Sequence, residues 1–351
     1  FDVVDSTYVL TEDEIVLDFT LFEGGQGFYG RHKSKNTNFV FDKPRPAKDY
    51  EGNTVKTLDI DAHYRDEAYW ARNRSIPKTD TQVKMGSMLD TLHQVPSFKF
   101  IMKAIDAFST GYVPTKNFDL GPFDSFYHYN AVEGSRFRLG LRTTAKFNRN
   151  LFLEGFVAYG FKDKVWKYQG QATYSFNKKD KHYFEYPQNY LAVSYEYDTQ
   201  IPGRVLQYTL KDNTFDSFAV NGMDMMTYDR KFDLQYNLEI ENGLAFRFDF
   251  SHLRQTAGGN LKFQNAYGPI DEIANAQFMA RVRFAPNEQF YQNKRNRHSM
   301  SKNQPVFVLD NYFAAKGVLG SQYTYLKSEF SVTKRFWFSG FGYLNSQFKA
   351  G

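Results

Sequence analysis

The stretch "SRFRLGLRTTAKF" at residues 135–147 alternates between apolar and basic side chains. On an extended strand these side chains fall on opposite sides: Phe137, Leu139 and Leu141 on one, and Arg136, Arg138 and Arg142 on the other. A period of two is strand geometry, because a helix would scatter the same residues around its circumference. Two structures use such a strand. One is a soluble sheet that buries its apolar face. The other is a membrane barrel that turns its apolar face to lipid and its charged face to an aqueous lumen.

The same alternation recurs along the chain, most clearly in "DRKFDLQYNLEI" (229–240), "GLAFRFDFSH" (243–252) and "NAQFMARVRFA" (275–285). The side chains predicted to face lipid are Phe137, Leu139, Leu234, Leu238, Phe246 and Phe248. The charged side chains predicted to face the lumen are Arg136, Arg138, Arg142, Asp233, Glu239, Arg247, Asp249, Arg281 and Arg283. The solvent-facing side of a soluble sandwich would carry mostly scattered Lys, Thr and Ser. The mixture of acidic and basic residues on one side of these strands therefore favours the barrel.

Composition favours the same interpretation. The chain has 351 residues, with 36 Phe and 25 Tyr, and aromatic residues form belts at both membrane interfaces of such barrels. Strands of about 10 to 12 residues are long enough to cross the hydrocarbon layer at a tilt. We therefore predict an all-β membrane protein built as an antiparallel transmembrane β-barrel. About eleven strands are recognisable, so we expect this chain to hold an incomplete barrel that lacks its last strands.

Several function classes are excluded or weakened by composition. The absence of cysteine excludes disulfides, thiolate catalysis and zinc–cysteine sites. A net charge of +5 without a long basic run gives no indication of nucleic-acid binding. The sequence contains no run of about 18 apolar residues, so it predicts no transmembrane helix.

The pattern divides the chain into three regions. Residues 1–60 predict a small periplasmic β region before the barrel, residues 61–117 a helical connector, and residues 118–351 the barrel. The connector predicts two helices. The first follows Pro77, is capped by Thr79 or Asp80 and ends before Pro96; the second is capped by Ser97 and ends at Gly111. We expect the second helix to bury its apolar side: Phe98, Ile101, Ile105 and Phe108. It either packs on a domain or plugs the barrel mouth.

Three arginines on one strand face require partners, because unpaired guanidinium groups repel one another and are costly to desolvate. Arg136 and Arg138 stand about 7 Å apart along the strand. The carboxylates on equivalent faces are Glu196, Asp198, Asp233, Glu239 and Asp249. We predict that at least one of Arg136, Arg138 and Arg142 forms an ion pair with a carboxylate inside the barrel. The alternative is that all three meet water in a wide lumen.

No motif indicates catalysis. "GGQGFYG" places Gly25, Gly27 and Gly30 at G-x-G-x-x-G spacing, but no helix follows that could bind a phosphate, so we interpret it as a turn. The seven histidines have no paired metal spacing. Asp124, Ser125 and His128 lie close enough in sequence to suggest a triad, although no nucleophile elbow is present. We expect no enzymatic activity, no cofactor, no metal and no catalytic residue.

Five blocks carry a resemblance to a known family: "YWARNRSIPKTDTQVKMGSMLDTLHQVPSFKF" (69–100), "FDLGPFDSFYHYNAVEGSRFRLGLRTTAKF" (118–147), "LEGFVAYGFKDKVWKYQ" (153–169), "RVRFAPNEQF" (281–290) and "GVLGSQYTYLK" (317–327). In this order they resemble outer-membrane β-barrel proteins of Bacteroidota whose function is unknown. Members carry an N-terminal carboxypeptidase-regulatory-like β domain, which this sequence lacks, and are about twice as long. The resemblance spans residues 61–351 and implies architecture and location, but no reaction.

Two functions follow from this architecture. In the first, the barrel is a transport or assembly component and a subunit of a larger envelope complex. In the second, it is a structural or adhesive scaffold whose lumen is plugged by its own ion pairs and helices. A TonB-dependent receptor is a third option that requires a plug domain not visible here. We expect location in the bacterial outer membrane, contact with its lipid and lipopolysaccharide, protein partners in an envelope complex, and no nucleic acid.

Overall fold

The structure is a computed structural model. It describes residues 2–4, 7–19, 28–41, 66–74, 76–115, 117–180, 182–203, 224–240, 242–292, 297–300 and 304–351. Two earlier interpretations lie outside these residues: the part of the predicted β region at residues 42–60, and the turn at Gly25 and Gly27. Contacts group the described residues up to Val95 into one compact unit and those from Pro96 onward into a second.

The first unit holds two small hairpins and two helices. The first hairpin pairs β1 (Asp2–Val4) with β2 (Thr7–Val9), and the second pairs β3 (Glu12–Phe19) with β4 (Phe28–Lys35). The helices are α1 (Glu67–Asn73) and α2 (Asp80–Leu92). α1 was not predicted. A third helix, at Pro96–Thr110, follows in the second unit. The described residues therefore contain three helices, and the prediction of a two-helix segment is wrong in number.

Capping side chains explain where these helices begin. The Asp66 carboxylate accepts from the Tyr69 backbone N–H at 2.8 Å at the start of α1. At the start of α2, the Thr79 hydroxyl accepts from the Gln82 N–H while the Gln82 side chain accepts from the Thr79 N–H, which is a capping box. The third helix, α3 (Pro96–Thr110), begins at Pro96 itself, the position where a missing N–H costs nothing. Ser97 therefore lies inside α3 and is not its cap.

The predicted burial of α3 is wrong for two of its four residues: Ile101 and Ile105 are 52% and 56% exposed. Phe98 is half-buried, and the side chain of Phe108 lies outside the described ones. Ala107, near the end of the helix, is buried instead. A helical period identifies which residues share a side, but it does not identify what lies against that side. Each described helix is too short and too polar to cross a lipid bilayer.

The second unit is dominated by one antiparallel sheet of 13 strands. Its strands are β5 (Val113–Pro114), β6 (Phe118–Leu120), β7 (Tyr127–Asn130), β8 (Gly134–Thr143), β9 (Leu151–Gly160), β10 (Trp166–Ser175), β11 (Asn189–Gln200), β12 (Met225–Glu239), β13 (Leu244–Gly259), β16 (Glu272–Phe284), β19 (Val306–Ala314), β20 (Tyr325–Trp337) and β21 (Tyr343–Ala350). Two hairpins lie in its connections: β14 (Phe263–Asn265) with β15 (Gly268–Ile270), and β17 (Phe290–Gln292) with β18 (Arg297–Ser299). The chain is thus mostly antiparallel β with few helices.

The sheet is a meander. From β8 onward each strand pairs with the next in the order β8, β9, β10, β11, β12, β13, β16, β19, β20 and β21, and β8 also pairs with β6 and β7. No pairing among the described residues joins β21 to β5, β6 or β7, so the described sheet is open. Its two ends are named here by their connections. The turn end adjoins residues 131–133 and 161–165, and the loop end adjoins residues 144–150 and 176–188.

Register keeps one class of side chain on each face. Leu139 lies opposite Val157, and Leu238 lies opposite Phe246. Because pairing preserves the alternation from strand to strand, apolar residues form one continuous face and polar residues the other. The charged and apolar sets predicted from sequence occupy opposite faces in this way.

A close backbone contact fixes the edge of the sheet beside β8. A Cβ at Gly140 would lie 2.4 Å from the Gly121 carbonyl oxygen, so any other residue there would clash with the backbone. The segment between β6 and β7, with a 3-10 turn at Phe123–Ser125, passes over β8 at this point. Glycine at 140 therefore allows this segment to lie directly on the sheet.

Candidate functional site

The apolar face of the sheet is exposed. Leu139 and Val157, which face each other across β8 and β9, are 60% and 50% exposed. Of the six residues predicted to face lipid, Phe137, Leu139, Leu234 and Phe248 are exposed, while Leu238 and Phe246 are half-buried. All six lie on this face. A soluble sheet buries its apolar face, so the distribution here is the reverse of that arrangement.

The polar face carries the nine charged residues predicted from sequence, and each has a partner in the structure. Eight form an ion pair with an opposite charge: Arg136 with Asp198, Arg142 with Asp119, Asp233 with Lys231, Glu239 with Arg297, Arg247 with Asp249, Arg281 with Asp310, and Arg283 with Glu288. The ninth, Arg138, places its guanidinium carbon 3.7 Å from the centre of the Phe156 ring. The predicted contact between one of the three β8 arginines and a carboxylate is therefore present.

The four most buried of the described charges, Glu133, Arg136, Lys167 and Asp198, form one group with Asp163 at the turn end. This group is called here the charged cluster. Arg136 Nη1 lies 2.7 Å from Asp198 and 3.1 Å from Glu133. Lys167 Nζ lies 2.7 Å from Glu133 and 2.5 Å from Asp163. The cluster thus holds three carboxylates against two cations, with Arg136 1% and Lys167 0% exposed. Buried charges of this kind are tolerated only when they are paired and hydrogen-bonded.

Two hydroxyl groups add hydrogen bonds to the carboxylates of the cluster. The Thr199 hydroxyl donates to Glu133 at 2.9 Å, and the Tyr228 hydroxyl donates to Asp163 at 2.8 Å. Thr199 is on β11 and Tyr228 is on β12, so four strands and two turns contribute to one network. A network with its carboxylates satisfied is rigid and specifies one arrangement of the strands.

The Arg136–Asp198 contact requires a curved sheet. β8 and β11 are separated by β9 and β10, and three strand spacings amount to about 14 Å in a flat sheet. An arginine and an aspartate standing upright on a flat sheet would not meet across that distance. The contact at 2.7 Å is satisfied when the polar face is concave. The side chains that the sequence places on one face are therefore brought together by curvature.

The turn at residues 131–133 covers the charged cluster. Val132 is buried, and a Cβ at Gly259 would lie 2.8 Å from Val132 Cγ2. Gly259 ends β13 with φ +62°, five strands away from β8 in the sheet order. The turn therefore reaches across the polar face, and its Glu133 supplies the central carboxylate of the cluster.

The loop at residues 176–188 covers the polar face at the loop end. His182 packs 5.1 Å from Phe152 and stacks 4.5 Å from Phe184, while Tyr183 lies 5.2 Å from Tyr190. Phe152 and Tyr190 are buried on the polar face. Burial lowers the pKa of His182 to about 3, with a smaller contribution from the charge of Arg142. The imidazole is therefore neutral at physiological pH.

A lysine holds the same loop closed. Lys179 Nζ donates to the carbonyl oxygens of Glu185 at 2.7 Å and Pro187 at 2.6 Å. Burial lowers the pKa of this lysine. At its far side the loop meets the connection between β16 and β19, where Tyr186 lies 5.4 Å from Phe290. The loop is thus packed and hydrogen-bonded on the sheet.

No catalytic arrangement emerges from the residues that suggested one. Ser125 is buried, and its hydroxyl donates to the Pro122 carbonyl at 3.0 Å, so it is neither exposed nor aimed at a solvent-filled cleft. Within the described ranges, no group of three or more His, Asp or Glu side chains could hold a metal ion. The chemistry of this face is electrostatic pairing.

Sequence reasoning missed three members of the charged cluster. Glu133 and Asp163 lie in turns, where strand alternation gives no direction to a side chain. Lys167 lies on β10 between Trp166 and Tyr168, whose side chains point to the apolar face. The alternation along β10 could therefore have identified Lys167 as a residue of the polar face. Asp198 was among the predicted carboxylates and is the one that Arg136 binds.

Comparison with known proteins gives a family but no function. The profile of a Family of unknown function (DUF5686) C-terminal domain matches residues 110–351, which is more than half of the chain and includes every strand of the large sheet. No curated protein and no solved structure matches the chain. The matched residues contain the exposed apolar face, the charged cluster and both covering segments. The chain therefore belongs to the DUF5686 family, whose function is unknown.

Proposed function

We propose that the DUF5686 C-terminal domain spans the bacterial outer membrane as the wall of an antiparallel β-barrel, with its apolar face against lipid. The observation that carries the proposal is the reversed distribution of side chains, in which Leu139 and Val157 are exposed while Arg136 and Lys167 are buried. Water disfavours an exposed apolar sheet face by about 25 cal/mol for each Å². A bilayer removes that penalty, because the same face then meets hydrocarbon.

The geometry supports a barrel with a filled interior. The 131–133 turn with its charged cluster occupies the polar face at the turn end, and the 176–188 loop occupies it at the loop end. Paired charges and packed aromatic rings leave these strands no continuous row of hydrated side chains, which an open pore requires. The domain then acts as a membrane-embedded structural scaffold that anchors other parts of the protein.

A transport or assembly role is the second candidate. It is favoured by the polar face of β20, where the Lys327–Glu329 pair is 57% and 45% exposed. No described residue covers this pair, so this part of the face could line a hydrated passage or receive further strands. Among the described strands, the outer edges of β21 and of β5–β7 pair with no further strand, and such edges are suited to strand addition. In this role the domain is a subunit of a larger envelope complex, with lipid and lipopolysaccharide as its surroundings.

The membrane placement is tested with single cysteines, since the native chain has none. Leu139→Cys and Thr173→Cys, on opposite faces, are labelled with a fluorophore in protein reconstituted into vesicles. We expect quenchers attached to acyl chains to quench the label at residue 139 strongly and the label at residue 173 weakly. Equal quenching at both positions would remove the membrane-barrel proposal.

The two roles are separated by electrical conductance. Planar bilayers containing the full-length protein should show no steady conductance if the interior is filled. Steady, salt-dependent conductance of the native protein, in which the charged cluster is intact, would instead support the transport role.

A further inference from the structure

Two arginines stand side by side on the apolar face of the sheet, toward the turn end. Arg230 on β12 lies directly opposite Arg254 on β13. Each belongs to the apolar side of its own strand, because Arg230 alternates with Phe232 and Arg254 with Phe250. Both side chains are exposed. Side chains directly opposite each other lie close together, and two like charges in this position destabilise the pair of strands. The arginine pair, as these two residues are called here, therefore needs a negative charge.

The chain itself supplies only part of that charge. Arg254 Nη1 lies 3.7 Å from a Glu272 carboxylate oxygen, and the two side chains are 46% and 33% exposed. Arg230 forms no ion pair with any carboxylate in the described part of the chain. Its guanidinium carbon lies 5.3 Å from the centre of the Tyr197 ring. An aromatic face orients a guanidinium group, but it adds no negative charge.

The arginine pair lies where the hydrocarbon-like part of this face ends. On β12 the side chains on the apolar face from Phe232 to Ile240 are all aliphatic or aromatic. This stretch of about nine residues is the length that a tilted strand needs to cross the hydrocarbon layer. Arg230 is the next residue on that face, and it lies opposite Tyr197, which in turn lies opposite Tyr168. Tyrosines mark the headgroup level of membrane barrels.

A turn of the chain borders the arginine pair on its other side. His252 Nε2 lies 3.0 Å from the Leu319 carbonyl oxygen, which brings the 318–320 turn against β13. A Cβ at Gly320 would lie 3.9 Å from Arg254 Nη2. The two guanidinium groups are thus bounded by the Tyr197 ring on the β11 side and by this turn on the β16 side.

We infer that the arginine pair is a binding site for the phosphate group of an anionic lipid headgroup. The inference rests on the proposed membrane placement of the sheet. The guanidinium fork matches the oxygens of a phosphate group and forms paired, charge-assisted hydrogen bonds with them. A lipid places its phosphate at the level of the arginine pair and its acyl chains along Phe232 and Phe250. A soluble anion would supply the charge, but it would leave this apolar surface uncovered.

The experiment measures whether anionic lipid gathers beside the arginine pair. A fluorophore is attached to Phe250→Cys in the full chain, and Leu309→Cys, on the same face of β19, carries it as the control position. Vesicles contain phosphatidylcholine with a minor fraction of phosphatidylglycerol, and equal amounts of one lipid or the other are brominated on the acyl chain. At residue 250, we expect brominated phosphatidylglycerol to be enriched about fivefold over brominated phosphatidylcholine. At residue 309 the two lipids should quench equally.

Substitutions connect the preference to the two guanidinium groups. Arg230→Gln/Arg254→Gln should abolish the preference at residue 250, while quenching by brominated phosphatidylcholine there shows that the sheet is still folded in the bilayer. Arg230→Lys/Arg254→Lys should retain part of it, because the charges remain and the forks are lost. Lys334→Gln is the matched control. Lys334 alternates with Phe336 on the same face and lies opposite Ser346 rather than a second cation, so this variant should keep the full preference.

The remaining outcomes overturn the inference. Equal quenching by both lipids at residue 250 of the native protein removes the lipid site and leaves the membrane placement intact. A preference that survives in the double glutamine variant assigns the lipid to other residues. A preference that inorganic phosphate abolishes, when sodium chloride of the same ionic strength does not, makes the arginine pair a site for soluble anions. Absence of quenching at both 250 and 309 removes the membrane placement as well.

Discussion

The polar face of β8–β11 and the polar face of β20–β21 follow the same alternation but differ in burial. On β8–β11, Arg136 and Lys167 have almost no accessible surface, because the 131–133 turn lies over them. On β20, Lys327 and Glu329 form an ion pair of ordinary length, 3.0 Å, in open surroundings. Alternation therefore decides which face a side chain joins, and the connections decide whether that face is covered. The two regions should respond differently to the same substitution.

The largest difference is expected from removing one cation in each region. Arg136→Met leaves Glu133 and Asp198 with less compensation in a buried site, and breaking such a pair costs about 3–5 kcal/mol. Lys327→Met, the matched control, should change stability little, because its charge and that of Glu329 are already solvated. Urea unfolding of the reconstituted protein measures both. Equal loss in the two variants would contradict the difference in burial.

The apolar face should show no such contrast between regions. Leu238→Arg on β12 and Leu309→Arg on β19 each place a guanidinium on the face proposed to meet lipid. We expect each to cost about 2–4 kcal/mol near the middle of the bilayer, measured by the same urea unfolding in vesicles. If either variant folds as well as the native protein, the strand that carries it does not face lipid.

Packing of the 176–188 loop on the polar face of the sheet should depend on pH. His182 has a pKa of about 3 when the 176–188 loop is packed, and an imidazole in water titrates near pH 6.5. Between these values the released loop binds a proton and the packed loop does not. Packing therefore weakens by up to about 1.4 kcal/mol for each unit that the pH falls below 6.5, down to pH 3.

Hydrogen exchange of residues 176–188 measures this effect between pH 7.5 and 4.5, after correction for the intrinsic pH dependence of exchange. His182→Phe should remove the pH dependence while keeping the ring contacts with Phe152 and Phe184. A variant that keeps the native dependence would assign the proton to another group.

The smallest expected effect is on β20. Glu329→Gln removes the partner of Lys327, and pairs between solvated charges are screened by salt. Any loss of stability in this variant at low ionic strength should disappear in 1 M salt. The loss caused by Arg136→Met should persist, because buried pairs are screened much less. If 1 M salt abolishes the loss of stability caused by Arg136→Met as well as that caused by Glu329→Gln, the charged cluster is hydrated.

The sequence was sufficient to predict which residues share a face. It was not sufficient to predict which segments of the chain cover those residues. Phe137 and Leu139 were separated from Arg136 and Arg138 by the period of two alone, and pairing extended that separation across the sheet. Glu133 could not be placed, because it lies in a turn whose path over the sheet depends on contacts with β13. Ile101 and Ile105 failed for a related reason. Periodicity assigns them to one side of α3, and their exposure depends on the surroundings.

The partner of Arg136 was also only partly predictable. Five carboxylates were available on equivalent faces, and sequence gave no reason to choose Asp198 from among them. The choice depends on the curvature of the sheet, which brings β11 over β8 at the turn end. α1 was missed although Asp66 and Glu67 mark its start, because a helix of two turns leaves little periodicity to recognise.

The Arg136–Asp198 contact also has a consequence for the order of folding. It joins residues 62 positions apart, so it cannot form until β9, β10 and β11 have paired and the sheet has bent. Contacts of this range close late, after the local hairpins. Interactions that are absent from the folding transition state act mainly on the unfolding rate. Arg136→Met should therefore accelerate unfolding much more than it slows folding, which makes the charged cluster a kinetic lock on the assembled strands.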